Sequence, residues 1–454
     1  MNIALAHFRV GETDGVSLEM EKWREALIRM GHQVLFLAGS EGQASAHVIP
    51  ELHYKHPMNE KFTFNAFDKQ IDYESEQEFA DDVMFFAKRM EDQLIDFIEM
   101  EQIELLIAFN LLSLGWSLPA GIALTTALEK TGIPCAAFHN NFFWQRDNYS
   151  RPTCSIVNDW LERFFPPDLS NVVHIVSNSL YQKELKERRH LNAVVIPNVF
   201  DFDGESWTGD SYNATLRQDI GVNEDDIVIL QATRVTERKT IELGIDVVAQ
   251  LQLRVEALKR RKATLYNGKQ LSERSRVVYV LAGMPESSYE YTEKLRIKAE
   301  HLGIDMRYIS SKISHSRTYS DGGKKYSLWD AYVISDFVTF PSVVEGWGNQ
   351  LLEAVYARKP LLIYEYPVYK EDIRNYGFHF VSLGSSHRWM EDGLASVDSP
   401  IVEAAAQQMA ELLAGANQYM RTVQHNFQIG KTSFSFDSLH QLLKPLIEEV
   451  EKND

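Results

Sequence analysis

The chain reads as an α/β protein made of two Rossmann-like domains, each with a doubly wound parallel sheet. Two observations predict this. Short apolar runs rich in β-branched and aromatic residues recur along the sequence, and the stretches between them are long enough for helices. The runs also fall into two series separated by a polar stretch of little periodicity, which makes two βαβ arrays rather than one. At 454 residues the length fits two or three domains.

The elements follow in order. Met1-Asn-Ile-Ala-Leu-Ala-His-Phe-Arg9 has no basic start or long apolar stretch and reads as the first core strand, not a leader peptide. Further strands are expected at Val34–Ala38, Leu105–Phe109, Cys135–Phe138, Val173–Val176 and Val194–Ile196. Between them, residues 57–100 look like an addition, with Phe79, Val83, Phe86, Met90, Leu94 and Phe97 on one helical stripe. A boundary is expected near Pro197-Asn-Val-Phe-Asp-Phe-Asp203. The second series is Ile227–Leu230, Val277–Leu281, Phe337–Phe340 and Pro360–Tyr364. Residues Lys312–Lys325, polar and containing Gly322-Gly323, read as a mobile loop. Leu439, Leu442, Leu443, Leu446 and Val450 mark a final amphipathic helix that Pro445 should kink.

Composition narrows the function. A formal charge of −18 argues against nucleic acid and against a protein resting on anionic lipid. The modest basic group Lys183, Lys186, Arg188 and Arg189 reads as a solvated helix end. No apolar run is long enough to span a membrane. Two cysteines, Cys135 and Cys154, make no disulfide framework, so a cytoplasmic location is expected. The Asn148-Tyr-Ser150 sequon then carries no meaning. Asp201-Phe-Asp203 mimics a metal-binding motif but lies in a linker, and no metal ligand is expected.

The most informative segment is Phe340-Pro-Ser-Val-Val-Glu345-Gly-Trp-Gly-Asn-Gln-Leu-Leu-Glu353. It reads as a strand end, a turn permitted by Gly346 and Gly348, and a helix opening near Asn349. A helix N-terminus presents unpaired N–H groups, for which an anion is the natural occupant. Carboxylates repel phosphate, so Glu345 and Glu353 on either side of that point are expected to hold hydroxyls. A ligand with phosphate in its middle and hydroxyls at both ends is a nucleotide sugar. Arg234 and Lys239, five apart after the strand Ile227–Thr233, can clamp a diphosphate, with Arg238 competing for the Lys239 role.

These residues resemble the paired-glutamate motif of retaining family-4 glycosyltransferases with the GT-B fold. The resemblance implies two domains facing a cleft: 1–200 on the acceptor side, 201–430 binding the nucleotide sugar, and 431–454 a helix packing back on the first. It implies that Glu345 faces the donor sugar, Glu353 the ribose, and Arg234 and Lys239 the diphosphate. The family usually has glycine before the arginine and after the lysine, where this chain has Thr233 and Thr240. His139 matches a family histidine near the sugar, with Asn140 in place of the usual aspartate, and could bond a sugar hydroxyl or shuttle a proton. Gly15, in the turn Arg9–Ser17, matches a loop near the donor phosphates. Arg9 is expected as a contact for an anionic acceptor and Asn110 as a sugar contact, and Gly283 lies in a run, Leu281–Met284, that resembles the strand near the base. Phe142, Phe143 and Trp144, with Arg146 and Asp147, read equally as an acceptor wall or a local core cluster.

The expected activity is therefore retaining, metal-independent hexosyl transfer from a nucleoside-diphosphate sugar to a hydroxyl of a soluble acceptor: a sugar, sugar phosphate or small solute. No cofactor is implied. The donor is a UDP-sugar by default, with GDP- or ADP-sugar open, and the oligomeric state is not legible. The rival readings are a nucleotide-sugar epimerase, a phosphorylase on the same architecture, or a catalytically silent sugar-binding protein.

Overall fold

The computed structural model describes every residue except Thr13, Asp14, Ser150, Asp321, Gly322 and Asp454. Two residues of the Arg9–Ser17 turn, the serine of the sequon and the first glycine of the Lys312–Lys325 segment thus lie outside the described residues. The chain forms two compact units, Met1–Val199 with Phe436–Asp454, and Phe200–Ser435.

The first unit holds a seven-stranded parallel sheet in the order β3-β2-β1-β4-β5-β6-β7. Its strands are β1 (Asn2–His7), β2 (Gln33–Ala38), β3 (His47–Val48), β4 (Leu105–Phe109), β5 (Cys135–His139), β6 (Val172–Val176) and β7 (Ala193–Val195). Its helices are α1 (Gly15–Arg29), α2 (Pro57–Phe67), α3 (Glu76–Met100), α4 (Leu118–Thr131), α5 (Ser155–Phe164) and α6 (Ser179–Arg189). All five residues of β4 and of β5 are buried, as strands covered on both faces must be. One face packs against α2 to α5, with the expected stripe Phe79, Val83, Phe86, Met90, Leu94 and Phe97 inside the core. Ser75 starts α3 by accepting the Glu78 N–H at 3.1 Å. Trp23 of α1 meets the rings of Phe109 and Phe138 edge-on at 5.3 and 5.2 Å on the other face. Along α6, Lys183, Arg188 and Arg189 are paired with Glu187, Glu184 and Glu162.

The second unit holds a six-stranded parallel sheet in the order β10-β9-β8-β14-β15-β16. These are β8 (Ile227–Gln231), β9 (Val277–Leu281), β10 (Asp305–Tyr308), β14 (Phe337–Phe340), β15 (Leu361–Ile363) and β16 (Val381–Ser382). The short strands β11 (Ile313–Ser314), β12 (Thr318–Ser320) and β13 (Gly323–Ser327) form a separate small sheet. The mobile loop expected at Lys312–Lys325 is therefore corrected: among the described residues it carries strands. Its partner is remote in sequence: the Tyr212 hydroxyl donates to Lys325 O at 2.7 Å, and Lys324 and Arg317 lie over the Tyr212 ring at 4.4 and 5.0 Å. Strands β17 (Arg388–Trp389) and β18 (Ala395–Ser396) pair antiparallel.

The helices of the second unit are α7 (Leu216–Asp219), α8 (Ile241–Arg260), α9 (Tyr289–His301), α10 (Leu328–Ile334), α11 (Asn349–Tyr356), α12 (Ser399–Ala414) and α13 (Ala416–Ser433). Residues 431–435 stay with this unit, and Phe200 N–H bonds Phe434 O at 2.8 Å where the chain enters and leaves it. In the Asp201-Phe-Asp203 stretch, Asp203 pairs with Lys431. Helix α14 (Phe436–Asn453) then rejoins the first unit. It runs unbroken through Pro445 and places Phe436, Leu439, Leu443, Ile447 and Val450 in one cluster with Trp23 and Leu27 of α1. Among the described residues no helix is long and apolar enough to cross a membrane, and both cysteines are free and buried.

Candidate active site

In the second sheet the chain runs outward from β8 through β9 to β10, then returns to β14 and proceeds the opposite way to β15 and β16. The switch point lies between β8 and β14, and in open parallel sheets ligands bind beyond the carboxyl ends of strands at such a point. The sequence places Arg234 to Lys239 after β8 and Glu345 to Gly348 after β14.

Hydrogen bonds fix the two loops to each other. Thr240 adopts a left-handed backbone, φ 41°, and its hydroxyl donates to Pro341 O at 2.6 Å. That explains the departure noted above: the conformation is one a glycine adopts freely, and here a side-chain hydrogen bond holds a threonine in it. The result brings Lys239 Nζ onto Glu345 Oε1, while Arg238 reaches Glu345 Oε2 at 3.3 Å. The Lys239 and Glu345 side chains are 9% and 7% exposed, whereas Arg238 is 44% exposed. Burial pulls the Lys239 ammonium below the usual lysine range, against the Glu345 charge that holds it up. Its Nζ also lies 5.5 Å from the centre of the Phe340 ring.

Below these loops runs a buried polar network. Gln231 accepts from Thr339 Oγ1 at 2.7 Å and from Tyr279 OH at 3.1 Å, joining β8, β14 and β9. Gln231 also donates to Thr233 Oγ1 at 2.7 Å, which gives the second non-glycine position its role. Gly283, just past β9, has no room for a side chain: a Cβ there would sit 1.8 Å from Thr233 O and 2.6 Å from Arg234 N.

The β14–α11 turn is equally constrained. Gly348 has φ 107°, and a Cβ on it would meet Tyr366 OH at 2.5 Å. That hydroxyl donates to Trp347 O at 2.6 Å. Helix α11 therefore opens at Asn349, with Gly346 and Gly348 before it and its N-terminus at the switch point. Glu353, one turn further on, accepts a 2.7 Å hydrogen bond from Tyr332 OH. Tyr332 is wholly buried and borders a stack of Trp207 on Trp329, with ring centres 4.0 Å apart.

The structure thus brings Lys239, Arg238 and Glu345 into direct contact and puts Gly346, Gly348 and Asn349 in the same turn. Arg234 stands apart from that contact: it is half exposed and pairs with Glu286 at 2.6 Å, though near enough to act electrostatically on Lys239. His139 and Gly15 belong to the first unit. Gly15 begins α1, and a Cβ there would touch nothing. His139 is fully buried, its Nε2 3.0 Å from His174 Nδ1. His174 Nε2 lies 3.1 Å from Pro167 O. A carbonyl only accepts, so His174 donates from Nε2, accepts at Nδ1, and fixes His139 as the Nε2–H tautomer. Burial holds His139 well below the ordinary histidine range and His174 at about 4, so both are neutral near pH 7. Asn110, at the end of β4, accepts the Asn140 N–H at 2.8 Å. Phe142 stacks on Trp144 with centres 4.4 Å apart, and Phe142 and Phe143 are buried.

Sequence reasoning missed His174 and Tyr332. Neither has a local signal: His174 is 35 residues from His139, and Tyr332 is 21 from Glu353.

The family model described as glycosyl transferases group 1 matches residues 213–426, which span both loops of the switch point. The chain belongs to the family-4 glycosyltransferases of the GT-B fold, and it is a glycosyltransferase. Two relatives extend over nearly its whole length. A mannosylglucosylglycerate synthase of Thermotoga maritima is 38% identical over 445 residues, covering 98% of this chain and 99% of the relative. One of Petrotoga mobilis is 36% identical over 437 residues, covering 96% and 98%. Among solved structures, a glycosyltransferase from Rickettsia africae superposes with a TM-score of 0.63 at 12% identity, covering 100% of this chain and 99% of that one. Anabaena HepE in complex with UDP and glucose gives 0.58 at 14% identity, covering 99% and 100%. Both support the fold alone.

Proposed function

We propose that this protein transfers a hexosyl group, with retention, from a nucleoside-diphosphate hexose to a hydroxyl of a small soluble glycoside. The observation that carries the reading is the placement of Lys239 and Arg238 on Glu345 at the switch point. The two cations neutralise the carboxylate. With donor bound, the cations turn to the diphosphate and Glu345 is released to the sugar hydroxyls.

The chemistry needs that arrangement. The bond from the anomeric carbon to the diphosphate oxygen breaks, negative charge grows on that oxygen, and the sugar becomes oxocarbenium-like. Fixed cations there stabilise the transition state more than the ground state. The N-terminus of α11 adds N–H donors. On this reading the acceptor oxygen bonds the anomeric carbon from the face the diphosphate leaves, and its proton passes to a diphosphate oxygen. Glu353, oriented by Tyr332, holds the ribose. The His139 ring, neutral near pH 7, suits a hydrogen-bonding role better than a proton shuttle. The reading calls for no metal and keeps a cytoplasmic location.

The names of the relatives narrow the acceptor. A mannosylglucosylglycerate is a mannose on a glucose on a glycerate, so adding the outer sugar takes a mannosyl donor and a glucosylglycerate. We extend that class of donor and acceptor to this chain. Incubation with UDP-, GDP- and ADP-hexoses and glucosylglycerate, followed by NMR of the product's anomeric signal, tests it. An α-linked product from an α-linked donor is expected. A β-linked product overturns retention, and donor isomerisation without acceptor supports an epimerase instead.

A further inference from the structure

The first sheet has its own switch point, between β1 and β4. There His7 Nδ1 donates to Phe109 O at 2.7 Å, joining the two strand ends. The loops that leave this edge carry two arginines mounted on two touching rings. The Arg9 guanidinium lies 5.5 Å from the centre of Tyr54, the Arg146 guanidinium lies 5.4 Å from the centre of Trp116, and the two rings are 4.8 Å apart. All four side chains are partly buried.

We propose that Arg9 and Arg146, set on Tyr54 and Trp116, are the acceptor subsite and take a glycoside whose aglycone carries a carboxylate. This rests on the function proposed above and names residues for its acceptor. A chain with a formal charge of −18 gains nothing in solubility from grouping cations here. An aromatic face fixes the plane of a guanidinium and so aims its N–H edge, the geometry that forks a carboxylate. Both arginines already hold oxygen acceptors. Arg9 pairs with Glu12 at 3.0 Å, and Arg146 donates to Asn141 Oδ1 at 3.0 Å. An incoming carboxylate takes over donors the fold has already aimed. Lys55, 6.0 Å from the Tyr54 ring centre, adds a third cation. Burial and the Arg9 charge together pull His53, stacked on Tyr54, below its ordinary range, leaving Arg9 as the fixed charge of the pair.

The test compares glucosylglycerate with glucosylglycerol, which has a CH₂OH where the acid has its carboxylate. In Arg9→Gln and Arg146→Gln, kcat/KM for the acid should fall roughly 10–100-fold, and that for the neutral glycoside less than about threefold. Arg146→Lys should recover only part of the loss, and the donor KM should not move. Equal losses on both acceptors, or an undiminished preference for the acid, overturn the subsite. Should the variants fold poorly, a sodium chloride series on the unaltered enzyme decides: KM for the acid should rise with salt while that for glucosylglycerol stays level, and an equal response overturns the proposal. An unaltered enzyme that uses both acceptors equally refutes the subsite alone. One that uses neither refutes the functional reading as well.

Discussion

Replacing Lys239 by methionine keeps most of the side chain's volume and deletes its charge, so it isolates what the cation does. Two effects follow from its position. Lys239 and Glu345 are nearly closed to solvent, and breaking a pair of that kind by removing one member typically destabilises by about 3–5 kcal/mol. Arg238 still reaches Glu345 at 3.3 Å, so the low end, about 3 kcal/mol, is expected, together with a clear fall in Tm. The catalytic loss is separate. A preorganised group that meets charge developing in the transition state contributes about 10²–10³ in kcat. Lys239→Met should lose that factor in single-turnover release of nucleoside diphosphate, measured well below its own Tm. Arg238→Met, removing a much more exposed charge, should lose about tenfold or less by the same argument. A folded Lys239→Met enzyme turning over within threefold of the parent would refute the assignment of this lysine to the leaving group.

Three other outcomes are expected. Tyr332→Phe keeps the buried ring but leaves Glu353 without its 2.7 Å donor; donor KM should rise about fivefold with kcat unchanged, and a loss confined to kcat would contradict the ribose role. Gly283→Ala drives a methyl into the backbone of Thr233 and Arg234, costing about 1–3 kcal/mol and weakening nucleoside-diphosphate binding in a titration; wild-type affinity and Tm would show that the loop has slack. His174 has a folded pKa of about 4 against about 6.5 unfolded, so the unfolded chain binds more protons in acid. Its contribution is intact above pH 6.5 and is lost as pH falls through 4, the loss reaching about 3 kcal/mol at pH 4. Thermal scans from pH 7 to pH 4 should show a steep fall in Tm that His174→Gln flattens, and parallel curves would reject the buried neutral pair.

The parallel strands were legible because sheets covered on both faces need continuous apolar runs, and Leu105–Phe109, Val277–Leu281 and Phe337–Phe340 emerge with the bounds expected of them. The strands at Ile313–Ser327 were not legible. They are polar, and they pack on Tyr212, about a hundred residues earlier, whose ring and hydroxyl contact Arg317, Lys324 and Lys325 together. The candidate site divides in the same way. Glu345, Lys239 and the glycines of the α11 turn carry a local signal, because strand ends and helix starts are written in neighbouring residues. The supporting groups do not. That Thr240 locks one loop to the other, that His174 sets the His139 tautomer, and that Tyr332 holds Glu353 are facts of packing across 101, 35 and 21 residues.

Helix α14 has a consequence for how the chain is made. Its apolar side completes the cluster around Trp23 and Leu27, yet it is synthesised after every residue of the second unit. On the ribosome, residues 200–435 form a contiguous segment able to close its own core, while the first-made unit waits with an uncovered greasy strip. A premature stop just after Ser435 should therefore yield a well-folded second half tethered to a sticky, incomplete first half, a chain prone to clump for want of helix α14.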